Sequence, residues 1–250
     1  MKEPITALRK GQGTGKIVFI HGNMASAKWW MPVMDALASR YEMLAVNLRG
    51  FGDGPDTPEV VSLADHARDI YELVHKHSLE HFVLAGHSLG GGVAMQFAAE
   101  YPDLLSGLVL VDSTPIGGMQ EIDYALLQMV VENKELAVAS LKGTLVKMTD
   151  ENLLNELMVD ALRALPAVIP NTRALEGADF TGKAAAFHKP VFVIHGELDV
   201  LVPAVEAEKA YKAYPNGQLK IIPGVGHNPQ VEDTKAFTTA LQDFVSRLGQ

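Results

Sequence analysis

Short apolar runs alternate along the chain with longer stretches in which apolar side chains recur every three or four residues. Lys16-Ile-Val-Phe-Ile20 predicts a buried strand and runs directly into His21-Gly22-Asn23. Ala27 to Ser39 predicts a helix, with Trp30, Val33, Met34 and Leu37 at helical spacing. Met43 to Leu48 is a second strand, followed by the glycine-rich loop Arg49 to Pro55. Ser62 to His77 is helical, with Ala67, Ile70, Leu73 and Val74 on one stripe. Phe82 to Ala85 is a strand, and Leu89 to Glu100 is the helix after it, stopped by Tyr101-Pro102. Leu108 to Val111, Val191 to Ile194 and Leu219 to Ile222 are further strands, and Thr234 to Leu248 is a closing helix.

Near-continuous Val/Ile/Leu runs are what a parallel sheet covered on both faces requires. Alternating strands and helices make the fold class α/β. Function in such sheets gathers at the carboxyl ends of the strands. His21, Ser88, Asp112, Asp199 and His227 all lie just past such ends. One segment breaks the rhythm. From Pro115 to Lys189 no strand pattern appears, and helices are expected over Ile122–Glu132, Glu135–Met148 and Asp150–Leu165, with Pro166 and Pro170 interrupting the chain beyond Leu165. The expected organisation is a core domain of 1–114 and 190–250 with a helical cap over 115–189. A separate helical domain is the alternative.

Composition narrows the partners. At 250 residues the chain sits near the upper limit of one hydrophobic core. It has no cysteine, so disulfides, thiolate nucleophiles and cysteine-held metals are excluded, and a reducing, cytoplasmic setting is expected. A formal net charge of -9 argues against nucleic acid or anionic membrane as the main partner. The stretch MKEPITALRKGQG lacks the apolar core of a signal peptide, and no apolar run approaches the ~20 residues of a membrane span. A small-molecule substrate, acting on a monomer or homodimer without cofactor or metal, is the expectation.

The chemistry centres on VLAGHSLGGG, residues 83–92. A serine hydroxyl becomes a nucleophile only beside a base and clear of the sheet. A sharp strand-to-helix turn lifts it out, and brings the backbone so close that residues two before and two after must be glycine. Gly86 and Gly90 meet that need around Ser88, giving G-x-S-x-G. The Leu89 N–H at the start of the next helix is placed for a developing oxyanion. His227, in Val225-Gly-His-Asn-Pro229, is the expected base. Asp199, in His195-Gly-Glu-Leu-Asp199, is the expected acid, with Asp112 as rival. The order Ser88, Asp199, His227 suits this arrangement. The second oxyanion donor is expected from the backbone of Asn23, or else of Met24.

The motifs HGN at 21–23, RGFGDG at 49–54, GHSLGG at 86–91, GELD at 196–199 and GVGH at 224–227 resemble those of the α/β-hydrolase family over nearly the whole chain. That resemblance implies a mostly parallel sheet with helices on both faces, a helical cap inserted after the sixth strand, and cofactor-free hydrolysis of an ester, lactone or related acyl bond. Relatives with such a cap include carboxylesterases, lactonases and carbon–carbon bond hydrolases. Asn47 and Gly54 stand where the family often has Asp and Ser. The family's first strand is expected to be missing or reduced.

The resulting expectation is a serine hydrolase of a small or medium ester or lactone. A carbon–carbon bond hydrolase or lyase, and a slow-turnover ligand receptor, are the alternatives. Met24, Trp29 and Met129 are the candidates for the substrate pocket, and Trp30 is expected in the core. Gly11-Gln-Gly-Thr-Gly-Lys16 looks like a phosphate loop but precedes a strand, so it reads as a hairpin turn. His75, His77 and His81 lack a metal-ligand pattern and read as a solvated helix end. His87 has no evident role.

Overall fold

The apolar runs pair into one seven-stranded sheet in a computed structural model, which describes residues 5–54, 61–119 and 121–249. Its strands are β1 Thr6–Lys10, β2 Gly15–Ile20, β3 Tyr41–Asn47, β4 Phe82–His87, β5 Leu105–Val111, β6 Val191–Gly196 and β7 Gly217–Ile222. They lie in the order β1-β3-β2-β4-β5-β6-β7, antiparallel for β1–β3 and parallel elsewhere. Successive side chains of a strand point to opposite faces. Val18 and Leu84 therefore join one core layer, while Phe19 and Val83 join the other. Helices α2 (Leu63–Lys76), α3 (Leu89–Glu100) and α8 (Ala204–Ala213) pack on the first face. Helices α1 (Met31–Leu37) and α10 (Thr234–Ser246) cover the second. Truncating one such fully buried side chain to alanine costs about 3–5 kcal/mol. Helix α2 begins as its sequence suggests. Ser62 Oγ accepts from the Asp65 N–H and Asp65 Oδ2 accepts from the Ser62 N–H, each at 3.0 Å, a capping box contributing about 1 kcal/mol.

A single five-residue strand, β1, precedes β2, so the N-terminal edge of the sheet is reduced as expected. Other expectations change. The segment after β1 is no hairpin, because β1 pairs with β3 and not with β2. The connection crosses the entrance to β3 so closely that a Cβ at Gly13 would lie 1.7 Å from the Arg40 carbonyl oxygen. With one strand fewer ahead of β2, the insertion follows β5, which takes the place of the family's sixth strand. Pro55, the last residue of the loop expected after Leu48, lies outside the described residues.

Within the insertion the helices are α4 Tyr124–Glu132, α5 Lys134–Lys142, α6 Glu151–Arg173 and α7 Thr181–Ala186. Helix α5 stops six residues short of the expected Met148. The Val146 and Lys147 amides that would extend it donate instead to Glu232 Oε2, at 2.7 and 2.8 Å. Helix α6 runs on through Pro166 and Pro170. A proline removes one helical bond, but here Ala164, Leu165, Ala167 and Val168 are buried, and tertiary packing overrides the local penalty. Helices α4, α5 and α6 pack on one another, whereas α7 packs against α3 and α8 of the core. The short α9, Pro229–Glu232, completes the chain order before α10. Among the described residues no helix is long and apolar enough to cross a membrane.

Candidate active site

Strand β4 ends at His87, and α3 begins at Leu89. Ser88 between them takes φ 52° and ψ −119°. A Cβ at Gly86 would sit 2.2 Å from the Gly90 carbonyl oxygen, and one at Gly90 would sit 2.5 Å from that of His21. Both glycines are thus steric requirements of the turn. A non-glycine residue in such a conformation costs about 1–3 kcal/mol. Surrounding bonds hold it there. The Ser88 N–H donates to Val111 O at 3.0 Å, and Ser88 O accepts from the Gly91 N–H at 2.8 Å and from Thr114 Oγ1 at 3.0 Å.

His227 sits in the loop after β7, and its Nδ1 lies 2.8 Å from Asp199 Oδ2. Asp199 Oδ1 accepts from the Leu201 and Val202 amides at 2.8 and 3.1 Å. Burial works to raise the Asp199 carboxyl, but the His227 hydrogen bond leads the opposing effects, and together they carry it down to about 2. An ionised acceptor assigns the proton to His227 Nδ1 and leaves Nε2 as the basic nitrogen.

The loop bearing His227 is fastened from three sides. His87 Nε2 donates to the His227 carbonyl at 2.8 Å, with the two rings 4.9 Å apart, which gives His87 the role its sequence position did not reveal. Thr144 O, from the insertion, accepts the His227 N–H at 3.0 Å. The buried Glu232 accepts from the Gly226 and Asn228 amides, both at 3.0 Å, besides the two cap amides already named. One carboxylate therefore ties the cap to the residues on either side of the histidine. Nothing in the sequence links Glu232 to residues 146–147.

On the other side of Ser88, buried His21 is locked neutral. Its Nδ1–H donates to Gly22 O at 2.7 Å and its Nε2 accepts from the Leu48 N–H at 3.1 Å. Burial lowers it to about 4. This fixes the loop carrying Asn23. The Asn23 side chain donates to Thr172 Oγ1 on α6 at 2.7 Å, another tie between core and cap. Asn47 anchors the entry to β3's loop. Its Oδ1 accepts from the Ala27 N–H at 2.8 Å, and its Nδ2 donates to Thr6 Oγ1 at 3.0 Å.

Ser88, His227, Asn23 and Leu89 all line one cavity of about 360 Å³. Its remaining walls are mostly apolar: Leu175 from α6's exit, Ile122, Leu126 and Leu127 from the α4 region, and Leu201 and Val202 beyond Asp199. The three sequence candidates for this pocket lie elsewhere. Trp29 is 1% exposed and packs with Leu154, Leu157 and Met158 of α6. Met24 packs in the same core–cap seam, beside Val130 and Leu165. Both side chains serve adhesion between layers, because α5 and α6 cover the residues after Asn23. Met129 is 59% exposed, since α4 turns Val130 inward and Leu126 and Leu127 toward the cavity. Arg163 and Arg173 are exposed and do not line it, whereas Glu121 and Asp123 do.

The rival acid is also at the site. Asp112, φ 38°, is fully buried, and its carboxyl, that of Asp199 and the His227 ring have donor or acceptor atoms within 4.8 Å of one another. Such a cluster could hold a cation by proximity alone, but here Nδ1 and Oδ2 are already engaged with each other.

Fold and geometry together define an α/β protein in which Ser88 and His227 line one cavity beyond the ends of the parallel strands and His227 is bonded to Asp199. The family described as alpha/beta hydrolase fold matches residues 16–234, and the chain belongs to it. An uncharacterised protein of Mycobacterium tuberculosis is 29% identical over 92% of this chain and 74% of its own length. RutD of Escherichia coli, named provisionally as a carbamate hydrolase, is 26% identical over 94% of this chain and 92% of its own. An esterase structure from Thermogutta terrifontis superposes with a TM-score of 0.88 at 24% identity, covering 98% of this chain and 94% of that one.

Proposed function

We propose that this protein is a serine hydrolase of small or medium carboxylic esters or lactones, working without cofactor through an acyl-enzyme. The observation that carries the reading is that Ser88, on its strained turn, lines one cavity with His227, whose Nδ1 is held 2.8 Å from an ionised Asp199. His227 takes the Ser88 proton as the hydroxyl attacks the carbonyl. The Asn23 and Leu89 amides hold the oxyanion, each contributing about 10²–10³ in turnover. His227 then protonates the leaving alcohol and activates water to release the acid, while Asp199 stays ionised and orients the ring.

The cavity supports this substrate class. A volume of about 360 Å³ lies at the small end of ligand pockets, which run from about 300 to 1,000 Å³, and suits a small or medium substrate. Its apolar walls suit an acyl chain or small lactone, and Glu121 and Asp123 disfavour anionic substrates. A carbon–carbon bond hydrolase acting on an acidic substrate would be served by positive side chains there, and among the described residues the lining has no Lys or Arg. A cytoplasmic setting is part of this proposal and rests on the cysteine-free composition.

The test is a panel of p-nitrophenyl esters, lactones and carbamates, run beside intact mass after a phosphonate probe. One adduct on Ser88 and repeated turnover are expected, with Ser88→Ala lowering kcat by about 10⁶. Turnover that survives Ser88→Ala would remove the nucleophile from the mechanism. Labelling without turnover would favour a ligand receptor.

A further inference from the structure

Two carboxyl groups lie behind His227, and their surroundings are unequal. Asp199 receives three donors: the Leu201 and Val202 amides on Oδ1 and the imidazole on Oδ2. Asp112 receives one N–H, from Gly196, on Oδ1 at 2.9 Å. His195 Nδ1 lies 3.0 Å from that same oxygen without forming a hydrogen bond. Among the described residues nothing donates to Oδ2 of Asp112, although the residue is 0% exposed. Atoms of the Asp112 and Asp199 carboxyl groups lie within 4.8 Å of each other, and a buried carboxylate oxygen without a donor beside a second carboxylate is costly as an anion. The same oxygen carrying a proton is satisfied by the neighbour it would otherwise repel.

We propose that Asp112 is held as a neutral carboxylic acid whose Oδ2–H donates to Asp199, making it a positioning residue that keeps the Asp199 carboxylate ionised and aimed at His227. This rests on the Ser88–His227–Asp199 reading above. The proton goes to the acid with fewer donors, and the charge stays on the one with more. The titratable groups facing Asp112 are Asp199 and His195 from β6 and its loop, His227 from the loop after β7, and Glu232 from α9. Two of these four are acids, and neither histidine donates to Oδ2. Burial, followed by the Asp199 charge, pushes the Asp112 carboxyl well up, in the same direction as the geometry. The left-handed backbone at Asp112 is held by its own N–H, which donates to Ile194 O at 3.0 Å.

The two isosteres separate this role from a merely structural one. Asn at 112 keeps an acceptor for Gly196 and an N–H donor for Asp199, and Leu keeps only the volume. Asp112→Leu is expected to lower kcat/KM roughly 10- to 100-fold, as for a lost hydrogen bond to a charged group, and to move the acidic limb of the pH–rate profile upward. Asp112→Asn is expected to recover most of that loss and leave the limb in place. The infrared difference between wild type and Asp112→Asn at neutral pH should contain a protonated carboxyl stretch, a readout that does not depend on the Leu variant folding. An Asn variant as impaired as Leu, or a difference spectrum without that stretch, would overturn the proposal. Phosphonate labelling of Ser88 keeps the two readings apart. If Ser88→Ala turns over normally the triad fails, while the infrared band still reports on Asp112.

Discussion

On the core side of the cavity Ser88 is held by backbone bonds to Val111, Gly91 and Thr114, and His227 by Asp199, His87 and Thr144. On the cap side the wall is Ile122, just ahead of α4, with Leu126 and Leu127 on α4, apolar side chains of which Leu126 is 52% exposed. Hydrogen bonds fix the first wall, as reaction geometry demands. The second wall is held by packing, which tolerates substitutions of similar volume. The difference implies a division of labour: core substitutions should lower kcat, and cap substitutions should move KM and the preferred acyl length.

The largest effect that would sharpen this division is at Asp199. Asp199→Asn keeps the shape but reverses the proton on His227 Nδ1, and kcat is expected to fall about 10⁴-fold with KM little changed. Stopped-flow acylation with a p-nitrophenyl ester checks it. A loss confined to KM would mean that the core side binds rather than reacts.

Acid should undo the core side first. Burial lowers His21 and His66 to about 4 and His87 to about 3, against about 6.5 in an unfolded chain. Between those values the unfolded chain binds protons that the folded one refuses. The histidine contribution is therefore complete above about pH 6.5 and falls as pH drops, by about 1.4 kcal/mol per pH unit for each histidine, and the raised Asp112 carboxyl, with the opposite sign, offsets only part of it. The Asp199 contribution has the depressed-acid sign and is lost only lower, as pH falls through about 2. Helices α4 to α6 contain no histidine. Tm measured from pH 7.5 to 4.5 should fall steeply below pH 6, and His66→Gln should flatten the slope. A flat Tm would show that these histidines are protonated within the fold.

Glu232 joins the two walls, so its loss tests whether they are independent. Gln keeps one acceptor and puts an amine where a backbone N–H points. Glu232→Gln should cost about 2–3 kcal/mol in urea unfolding. It should lower kcat about tenfold and raise KM together, since the cap loop and the histidine loop shift as one. A stability loss with unchanged kinetics would break the coupling.

The same contrast explains what could be read in advance. Ser88, Asp199 and His227 are legible because the turn needs glycines at fixed offsets and the strands needed to carry them are continuous apolar runs. Glu232 and His87 are not, because their partners lie 86 and 140 positions away and no local pattern marks them. Asp112 and Asp199 both follow strand ends, and only the count of donors around each oxygen separates them. In the cap, helical periodicity finds α4 to α6 but not the face each turns to the cavity. Met129 and Leu126 are one helical turn apart, equally apolar in sequence, and differ in what lies opposite. The ends of α5 and α6 misled for the same reason. A distant carboxylate takes the amides of one, and burial carries the other through two prolines.

The smallest expected effect uses that pair. Leu126 lines the cavity and Met129 does not. Leu126→Ala removes apolar surface that a longer acyl chain would cover, at about 0.8 kcal/mol per buried methylene. KM for a hexanoyl ester should rise about fourfold, kcat should hold, and an acetyl ester should notice little. Met129→Ala, on the same helix but facing water, should leave both esters within error. If instead Met129 governs acyl length and Leu126 does not, α4 sits rotated about its axis in the working enzyme, and the apolar wall facing Ser88 is built from its other edge.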